Sequence, residues 1–514
     1  MKKSLLMTTT LVAAFSATNV CAEDWTISSK EIITGELISK DNVTVATGGD
    51  ITISGNNSGI ISNGNFTMED GSLTASSNGG SADTGVFVRG ENSSVTIKNG
   101  TINLTEARIA KGEEDTDTTG DVSISGGKIT LNNQAYIEMY DTNTGSVNLS
   151  GGELNINDNS GILLDGANDF TMTGGFLTAT SNGNSADTGV FVKGNGADVN
   201  IQGGDINLTD SRIYKGNDTA TTGDINISGG NITLNKNAYI EMRKENTGNV
   251  NMTGGKLVMN KNSGLLLNTN DDQGIDGNAI KLIVNGDDAT ITANGSNQIS
   301  GDIDFTKGTI TVANGASLTS GDIAMKSENA KIDLLGKLNT NVNGSGNLCF
   351  KNSAANVSGN VTGSNLTFDT DHSLSKAIGG TISNITALNV NKGTLTYDKD
   401  AGSIGNVSVA GGAGLDIGTN KLTATTVNFA DNSTLGLKIA SADNYGQINA
   451  NTINIGNDTT MKVTLDSGVV ANGETQSFDF LQGSVTGDFT NKIADNNRYD
   501  ISFEDGSFKI TGTA

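Results

Sequence analysis

Apolar and polar residues alternate with a period of two over short stretches that recur along most of the chain. Within residues 122–140 the apolar pairs are Val122 and Ile124, Ile129 and Leu131, and Ile137 and Met139. Such alternation indicates strands with one buried face. Glycines 126 and 127 and the polar segment 132–136 separate the pairs, so this unit predicts three short strands. Between the glycine pairs nothing has the 3.6-residue period of a helix.

The three-strand unit recurs every 23 to 29 residues, with starts at Val43, Phe66, Val95, Val122, Val147, Phe170, Val199, Ile225 and Val250. A larger unit of four such repeats also recurs, because SADTGVFVRG at 81–90 returns as SADTGVFVKG at 185–194. Nested repeats of this kind predict a solenoid. We therefore expect an all-β, right-handed parallel β-helix with three strands per turn and about 20 turns, ending in a C-terminal β cap.

Changes in the repeat divide the chain. We expect a signal peptide at 1–22, an N-terminal cap at 23–42, a regular β-helix at 43–268, an irregular β-helix at 269–438 and a cap module at 439–514. The strict repeat ends near residue 269, although short alternating strands continue. The last segment has longer strands and many aromatic residues, which suits a cap over the open strand edges of the final turn.

The N-terminus and the composition predict an exported, acidic protein. Lys2 and Lys3 precede an apolar stretch and a small-residue site before Glu23, which is typical of a secretory signal. Its removal would change the formal charge from -24 to -26 and leave Cys349 as the single cysteine. Such acidity argues against nucleic acid as a partner. The absence of proline among 514 residues fits strands that pair on both sides.

The outward positions of the third strand form the least uniform surface of the predicted coil. Four of the five arginines fall there, together with aromatic residues that are otherwise scarce. Arginine and aromatic residues often dominate binding energy, so we expect this face to bind a host or neighbouring-cell surface molecule, protein or glycan. Its candidate residues are Phe87, Arg89, Arg108, Tyr140, Leu163, Phe191, Lys193, Arg212, Tyr214 and Arg243.

A structural interpretation of the same face is also open. Arg108 beside Glu138, and Arg212 beside Glu241, would form ion pairs between neighbouring turns. The loops at 76–85 and 180–189 would then cover the two phenylalanines.

The outward row of the second strand is almost entirely threonine and asparagine. Its members are Thr52, Thr74, Asn103, Thr130, Asn155, Thr178, Asn207, Thr233 and Val258. Because these residues also solvate a stacked sheet, solvation is the preferred interpretation, and an ice-binding face is the third functional hypothesis.

Catalysis is the second functional hypothesis, since polysaccharide lyases and hydrolases also use this coil. Paired carboxylates such as Asp287 and Asp288 lie in polar loops, where they do not flank a substrate bond as glycoside hydrolysis requires. The single histidine, His372, has no histidine or cysteine nearby in the sequence. We therefore expect no enzyme activity, catalytic residue, cofactor or metal.

The C-terminal segment resembles the terminal module of bacterial autotransporter passengers, which are pertactin-like β-helices with an autochaperone-type module. The resemblance covers some 50 residues, ADNYGQINANTINIGNDTTMKVTLDSG at 442–468 and FDFLQGSVTGDF at 478–489. Its motif residues are Tyr445, Gly446, Gln447, Ile448, Met461, Val463, Leu465, Gly483, Val485, Gly487 and Phe489.

The resemblance implies a passenger that crosses the outer membrane of a Gram-negative bacterium and whose C-terminal module folds first. It thereby favours a secreted or cell-surface adhesin or structural spacer. No stretch of the sequence resembles the outer-membrane barrel of that family. The resemblance therefore leaves three expectations open: the sequence is a fragment, a separate translocator supplies the barrel, or the protein stays in the periplasm.

Overall fold

The computed structural model describes residues 23–79, 83–183, 187–217, 219–243, 245–269, 280–470, 473–495, 499–504 and 507–512. The predicted signal peptide, 1–22, lies outside these residues. Strands of successive turns pair in parallel through one sheet of 34 strands, which holds the first and second strands of each turn. The third strands form a sheet of 14 strands and continue through six strands of a seven-stranded sheet. The predicted parallel β-helix of about twenty turns is confirmed.

The first strands of turns 1–10 and 13–16 are Trp25–Ile27, Val43–Val45, Phe66–Met68, Val95–Ile97, Val122–Ile124, Val147–Leu149, Phe170–Met172, Val199–Ile201, Ile225–Ile227, Val250–Met252, Ile323–Met325, Val342–Gly344, Val361–Thr362 and Ile382–Ser383. The second strands of these turns are Lys30–Thr34, Asp50–Ser54, Ser72–Ser76, Thr101–Thr105, Lys128–Asn132, Glu153–Asn157, Phe176–Thr180, Asp205–Thr209, Asn231–Leu234, Lys256–Met259, Ala330–Leu334, Asn347–Phe350, Asn365–Phe368 and Ala387–Val390.

In turns 11, 12 and 17–20 one longer strand replaces the first two, namely Leu282–Ala293, Ile303–Val312, Ser403–Val409, Lys421–Phe429, Gln447–Ile455 and Leu481–Thr486. The third strands are Leu37–Lys40, Ser58–Ser62, Thr84–Val88, Arg108–Lys111, Tyr136–Met139, Gly161–Leu164, Gly189–Val192, Arg212–Lys215, Tyr239–Arg243, Gly264–Thr269, Ser296–Ile299, Ser317–Ser320, Lys337–Asn339, Asn356–Val357, His372–Ser373, Thr394–Thr396, Gly414–Asp416, Thr434–Ser441, Thr460–Leu465 and Asn491–Ala494.

The nine predicted repeat starts lie directly opposite one another in neighbouring turns. Val43 pairs with Phe66, Phe66 with Val95, and the series continues in register to Val250. The segment predicted as an N-terminal cap, 23–42, forms turn 1, and Trp25 pairs with Val43. At about 4.8 Å per turn, twenty turns give a rod about 95 Å long.

Aliphatic side chains from all three strands fill the inside of the coil. In turn 5, for example, the inward residues of the first two strands are almost completely buried, as are Ile137 and Met139 of the third. Burial of one such side chain contributes about 1.5–3 kcal/mol. Successive turns repeat this pattern, so one narrow core runs along the rod.

Side-chain oxygens at the corner before the first strand join neighbouring turns. Asp169 Oδ1 accepts the N–H of Asp198 at 2.7 Å, Asp198 Oδ1 that of Asp224 at 2.7 Å, and Asp224 Oδ1 that of Asn249 at 2.7 Å. Asn42 and several later residues make the equivalent bond. This ladder of Asp and Asn satisfies backbone donors that the corner would otherwise leave unpaired.

Residues 439–514 contribute the end of turn 18, the last two turns and a small antiparallel sheet. That sheet consists of Thr475–Phe478, Tyr499–Glu504 and Ser507–Gly512, and Asn444–Tyr445 pairs antiparallel with the third strand of turn 18. The single helix of the described residues, Leu374–Ala377, follows the short third strand of turn 15.

Candidate functional site

The ten candidate residues lie along one face over turns 3 to 9. Register places Phe87 opposite Ala110, then Glu138, Leu163, Phe191, Tyr214 and Glu241 in successive turns. Arg108 and Arg212 stand two positions earlier, in a parallel row with Tyr136, Tyr239 and several glycines. The predicted set is thus one face with two main rows.

The apolar part of this face is not exposed, and the sequence-based expectation of an exposed aromatic row is wrong. Phe87, Phe191 and Tyr214 are only 6%, 9% and 8% exposed. Glycine explains part of this burial, because a β-carbon on Gly161 would lie 3.0 Å from the Phe191 ring. The ring therefore packs closely against the preceding turn at Gly161.

Cationic side chains lie over two of these rings, those of Phe87 and Tyr214. The guanidinium carbon of Arg89 lies 5.8 Å from the centre of the Phe87 ring, and that of Arg243 lies 5.3 Å from the centre of the Tyr214 ring. Phe191 and Tyr214 also contact each other, with ring centres 6.1 Å apart. The cations and aromatic rings predicted to bind a partner therefore stabilise one another within this face.

Two ion pairs between neighbouring turns are confirmed. Arg108 pairs with Glu138 and Arg212 with Glu241, and all four side chains are largely buried. Burial raises the pKa of Glu138, although Arg108 favours its charged form. Removing one partner of such a pair leaves a buried charge unpaired, so the pairs hold the third strands in register.

The accessible part of the face is a row at the end of the third strands, which we name the edge row. It consists of Arg89, Tyr140, Asp165, Lys193 and Arg243, all exposed or half-buried. Lys193 lies 3.4 Å from Asp165, and Arg89 lies 3.4 Å from Glu113 in the next turn.

Leu163 is half-buried beside the edge row. The surface open to a partner is therefore mainly polar, with three cations and one carboxylate in the edge row.

Two buried lysines were missed by sequence reasoning. Lys111 and Lys215 occupy equivalent inward positions, where Lys111 faces Val88 and Met139 in the adjoining turns. Lys215 Nζ donates to the Gly194 carbonyl at 3.0 Å. Burial lowers the pKa of each to about 8. The signal was present in the sequence, because the alternation of 108–111 places Lys111 on the apolar side.

The threonine and asparagine row of the second strand is confirmed in register from Thr52 to Val258. Beside it, asparagine amides bond to one another between turns, as Asn260 does to Asn235 at 2.8 Å. Asn294 bonds to Asn260 at 3.1 Å. These ladders satisfy the amides within the sheet, in agreement with the solvation interpretation.

His372 and Cys349, the residues considered for catalysis or metal binding, are both held within the fold. His372 Nε2 donates to the Ala355 carbonyl at 2.8 Å, and its Nδ1 accepts the Ser373 N–H at 2.9 Å. Cys349 is buried, and burial raises its pKa to about 11. Among the described residues, no group of three His, Cys, Asp or Glu is close enough to hold a metal ion. No helix in that part of the chain is long and apolar enough to cross a membrane.

The C-terminal motif lies at the junction of the last turns and the small antiparallel sheet. The Tyr445 ring packs edge-on against Phe478, with ring centres 5.1 Å apart, and its hydroxyl accepts from Gln447 Nε2 at 2.8 Å. Gly446 is required because a β-carbon there would press on the Gly418 carbonyl oxygen. The motif thus joins the coil to the aromatic cluster that closes it.

The other motif residues lie in turns 19 and 20, where Gly483, Val485 and Gly487 are exposed. Ile448, Val463 and Leu465 are buried in turn 19. Gly487 has a φ of +86°, which glycine adopts without strain. Phe489 is buried and packs edge-on against Phe429, with ring centres 5.4 Å apart.

Comparison with known proteins gives no family. No protein-family model matches the chain, and no curated protein matches it.

Proposed function

We propose that this protein is an exported, non-catalytic β-helical rod of a Gram-negative bacterium, similar to an autotransporter passenger, that acts as an adhesin or structural spacer. The observation that carries the proposal is the stack of twenty turns with one continuous aliphatic core. Such a fold gives reach and stiffness, because each turn adds about 4.8 Å of length. The N-terminal secretory pattern and the C-terminal motif support export as the use of that length.

The edge row is the proposed contact with a host or neighbouring-cell surface molecule. Its charged members are three cations and one carboxylate, so a partner would meet a row with an excess of positive charge, in which Arg89 and Lys193 each lie beside a carboxylate. Charged groups in fixed positions determine which partner binds, and in which alignment, more than they add to the affinity. The proposed contact therefore excludes the buried rings of Phe87 and Phe191 and relies on Arg89, Lys193 and Arg243.

A binding experiment tests the contact. Residues 23–514 would be incubated with cultured epithelial cells and with Gram-negative bacterial cells, and bound protein would be measured. We expect the variant with Arg89→Ser, Lys193→Ser and Arg243→Ser to bind at least about tenfold more weakly.

A matched control removes three positive charges from the other faces, through Lys98→Ser, Lys128→Ser and Lys256→Ser. These lysines are exposed. Equal binding by both triple variants would reject the edge row as the contact.

A refolding experiment tests the role of the C-terminal module. If it templates the stack, Tyr445→Ala should slow refolding from urea by loosening the contact with Phe478. Tyr140→Ala is the control, because Tyr140 lies on the outer face in turn 5. An equal change in the refolding rate of both variants would contradict a templating role.

A further inference from the structure

The third-strand sheet is interrupted at turn 15, and an open depression lined by polar residues lies there. The sheet of 14 strands ends at Asn356–Val357, and the next third strand is only His372–Ser373. The helix Leu374–Ala377 follows this short strand, and Ile378 pairs with Val357 of turn 14 through a single parallel bridge. The depression has a volume of about 370 Å³, and its lining residues are Ser353, Asp371, His372, Ser373, Lys376, Thr394 and Thr396.

The floor of the depression is held rigidly. The His372 ring packs edge-on against Phe350 and Phe368, with ring centres 5.6 and 5.8 Å apart, and both of its nitrogens are hydrogen-bonded. Asp371 Oδ1 accepts the Thr394 N–H at 2.7 Å, which joins turn 15 to turn 16. A ligand would therefore meet preorganised walls, which lowers the entropy cost of binding.

Several polar groups of the lining face solvent and make no hydrogen bond to another described residue. They are the ammonium of Lys376, the hydroxyls of Ser353, Thr394 and Thr396, and Oδ2 of Asp371, all on exposed or half-buried residues. Convergent donors and acceptors in a concave site are typical of a binding site for a polar molecule. The ligand should therefore carry several groups that both donate and accept hydrogen bonds.

We propose that this depression binds one sugar residue of a glycan. A sugar matches the lining because its hydroxyls can donate to Asp371 and accept from Lys376 and the threonine hydroxyls. A phosphate or sulfate fits less well, since the Asp371 carboxylate would repel it and Lys376 is the only cation in the lining. An apolar ligand would leave these polar groups desolvated without partners. The site lies outside the edge row and does not depend on it.

Saturation-transfer NMR on residues 23–514 tests the proposal. The probes are the methyl glycosides of glucose, galactose, mannose and N-acetylglucosamine, together with galacturonate and inorganic phosphate. We expect at least one sugar to give a saturable signal. We further expect Lys376→Ala, or the double variant Thr394→Val and Thr396→Val, to weaken its affinity about tenfold.

Lys421→Ala, which removes an exposed lysine from turn 18, should leave the signal unchanged. Circular dichroism checks that each variant keeps its β-structure, and the two depression variants provide independent tests if one is poorly folded. Absence of a signal from every sugar, or a sugar signal that persists in both depression variants, would overturn the proposal. Either result would leave the edge row untouched, because its test uses different residues.

Discussion

Replacing the buried lysines with methionine should stabilise the rod. Lys111 and Lys215 are fully buried, and the inward neighbours of Lys215 are Val192 and Met242. Methionine has a similar length and would continue this apolar row. Burial lowers the pKa of each lysine from 10.5 to about 8. By linkage, that shift corresponds to at most about 3 kcal/mol of lost stability per lysine at neutral pH.

The lowered pKa values also predict how the free energy of unfolding changes with pH. Between about pH 8 and 10.5 the unfolded chain keeps the lysine proton and the folded chain releases it. The unfolded state then holds more protons, so the free energy of unfolding rises with pH across this window. Below about pH 8 both states are protonated, and the full penalty remains. Methionine removes the penalty and its pH dependence together.

Urea unfolding at several pH values from 7 to 9.5 measures both effects. We expect Lys111→Met to gain about 1–3 kcal/mol at pH 7. Lys215→Met should gain less, because Asp198, Asp169 and Asp224 stabilise the charged lysine. Lys128→Met is the control, since 55% of that side chain is exposed. A loss of stability in Lys111→Met, with no effect in the control, would refute the reasoning.

Three further predictions concern the third-strand face and the cysteine. Arg108→Ala should cost about 3–5 kcal/mol in urea unfolding, and the double variant with Glu138→Ala should cost less than the sum of the two single variants; simple additivity would contradict a buried ion pair. Gly161→Ala should lower the melting temperature because its β-carbon would clash with the Gly189 carbonyl oxygen and press on the Phe191 ring, and an unchanged temperature would contradict this close packing of the two turns. Cys349 should resist iodoacetamide at pH 8 until the chain unfolds, and rapid labelling of the folded protein would contradict its buried position.

The repeat pattern was sufficient to predict the coil and its register. The position of Phe66 between Val43 and Val95 follows from the alternation and the glycine pairs, because a shift of one residue would turn the apolar side chains outward. The outward position of Phe191 followed in the same way. Its burial did not, since that depends on Gly161 in the preceding turn and on the Tyr214 ring in the following turn. The exposure of a side chain depends on the residues in the neighbouring turns as well as on its own position in the strand.

The depression at turn 15 could not be predicted from the sequence. The strict repeat has ended by residue 269, so no template predicts that the strand at His372 is short or that Leu374–Ala377 forms a helix. His372 is the only histidine of the sequence. The role of His372 as a floor fixed by Ala355 and two phenylalanines depends on the stacking of turns 14 and 15.

A regular solenoid distributes stability evenly, because each turn contacts only its neighbours. Departures from the repeat therefore have a local cost that the adjoining turns must offset. Lys111 and Lys215 place charge inside the core, and turn 15 has a shortened third strand followed by a helix. The lysines are enclosed within the rod, whereas the interruption leaves polar groups on its surface. The lysines can therefore affect only the stability of the rod. At turn 15, the departure from the repeat is open to solvent and to the proposed ligand.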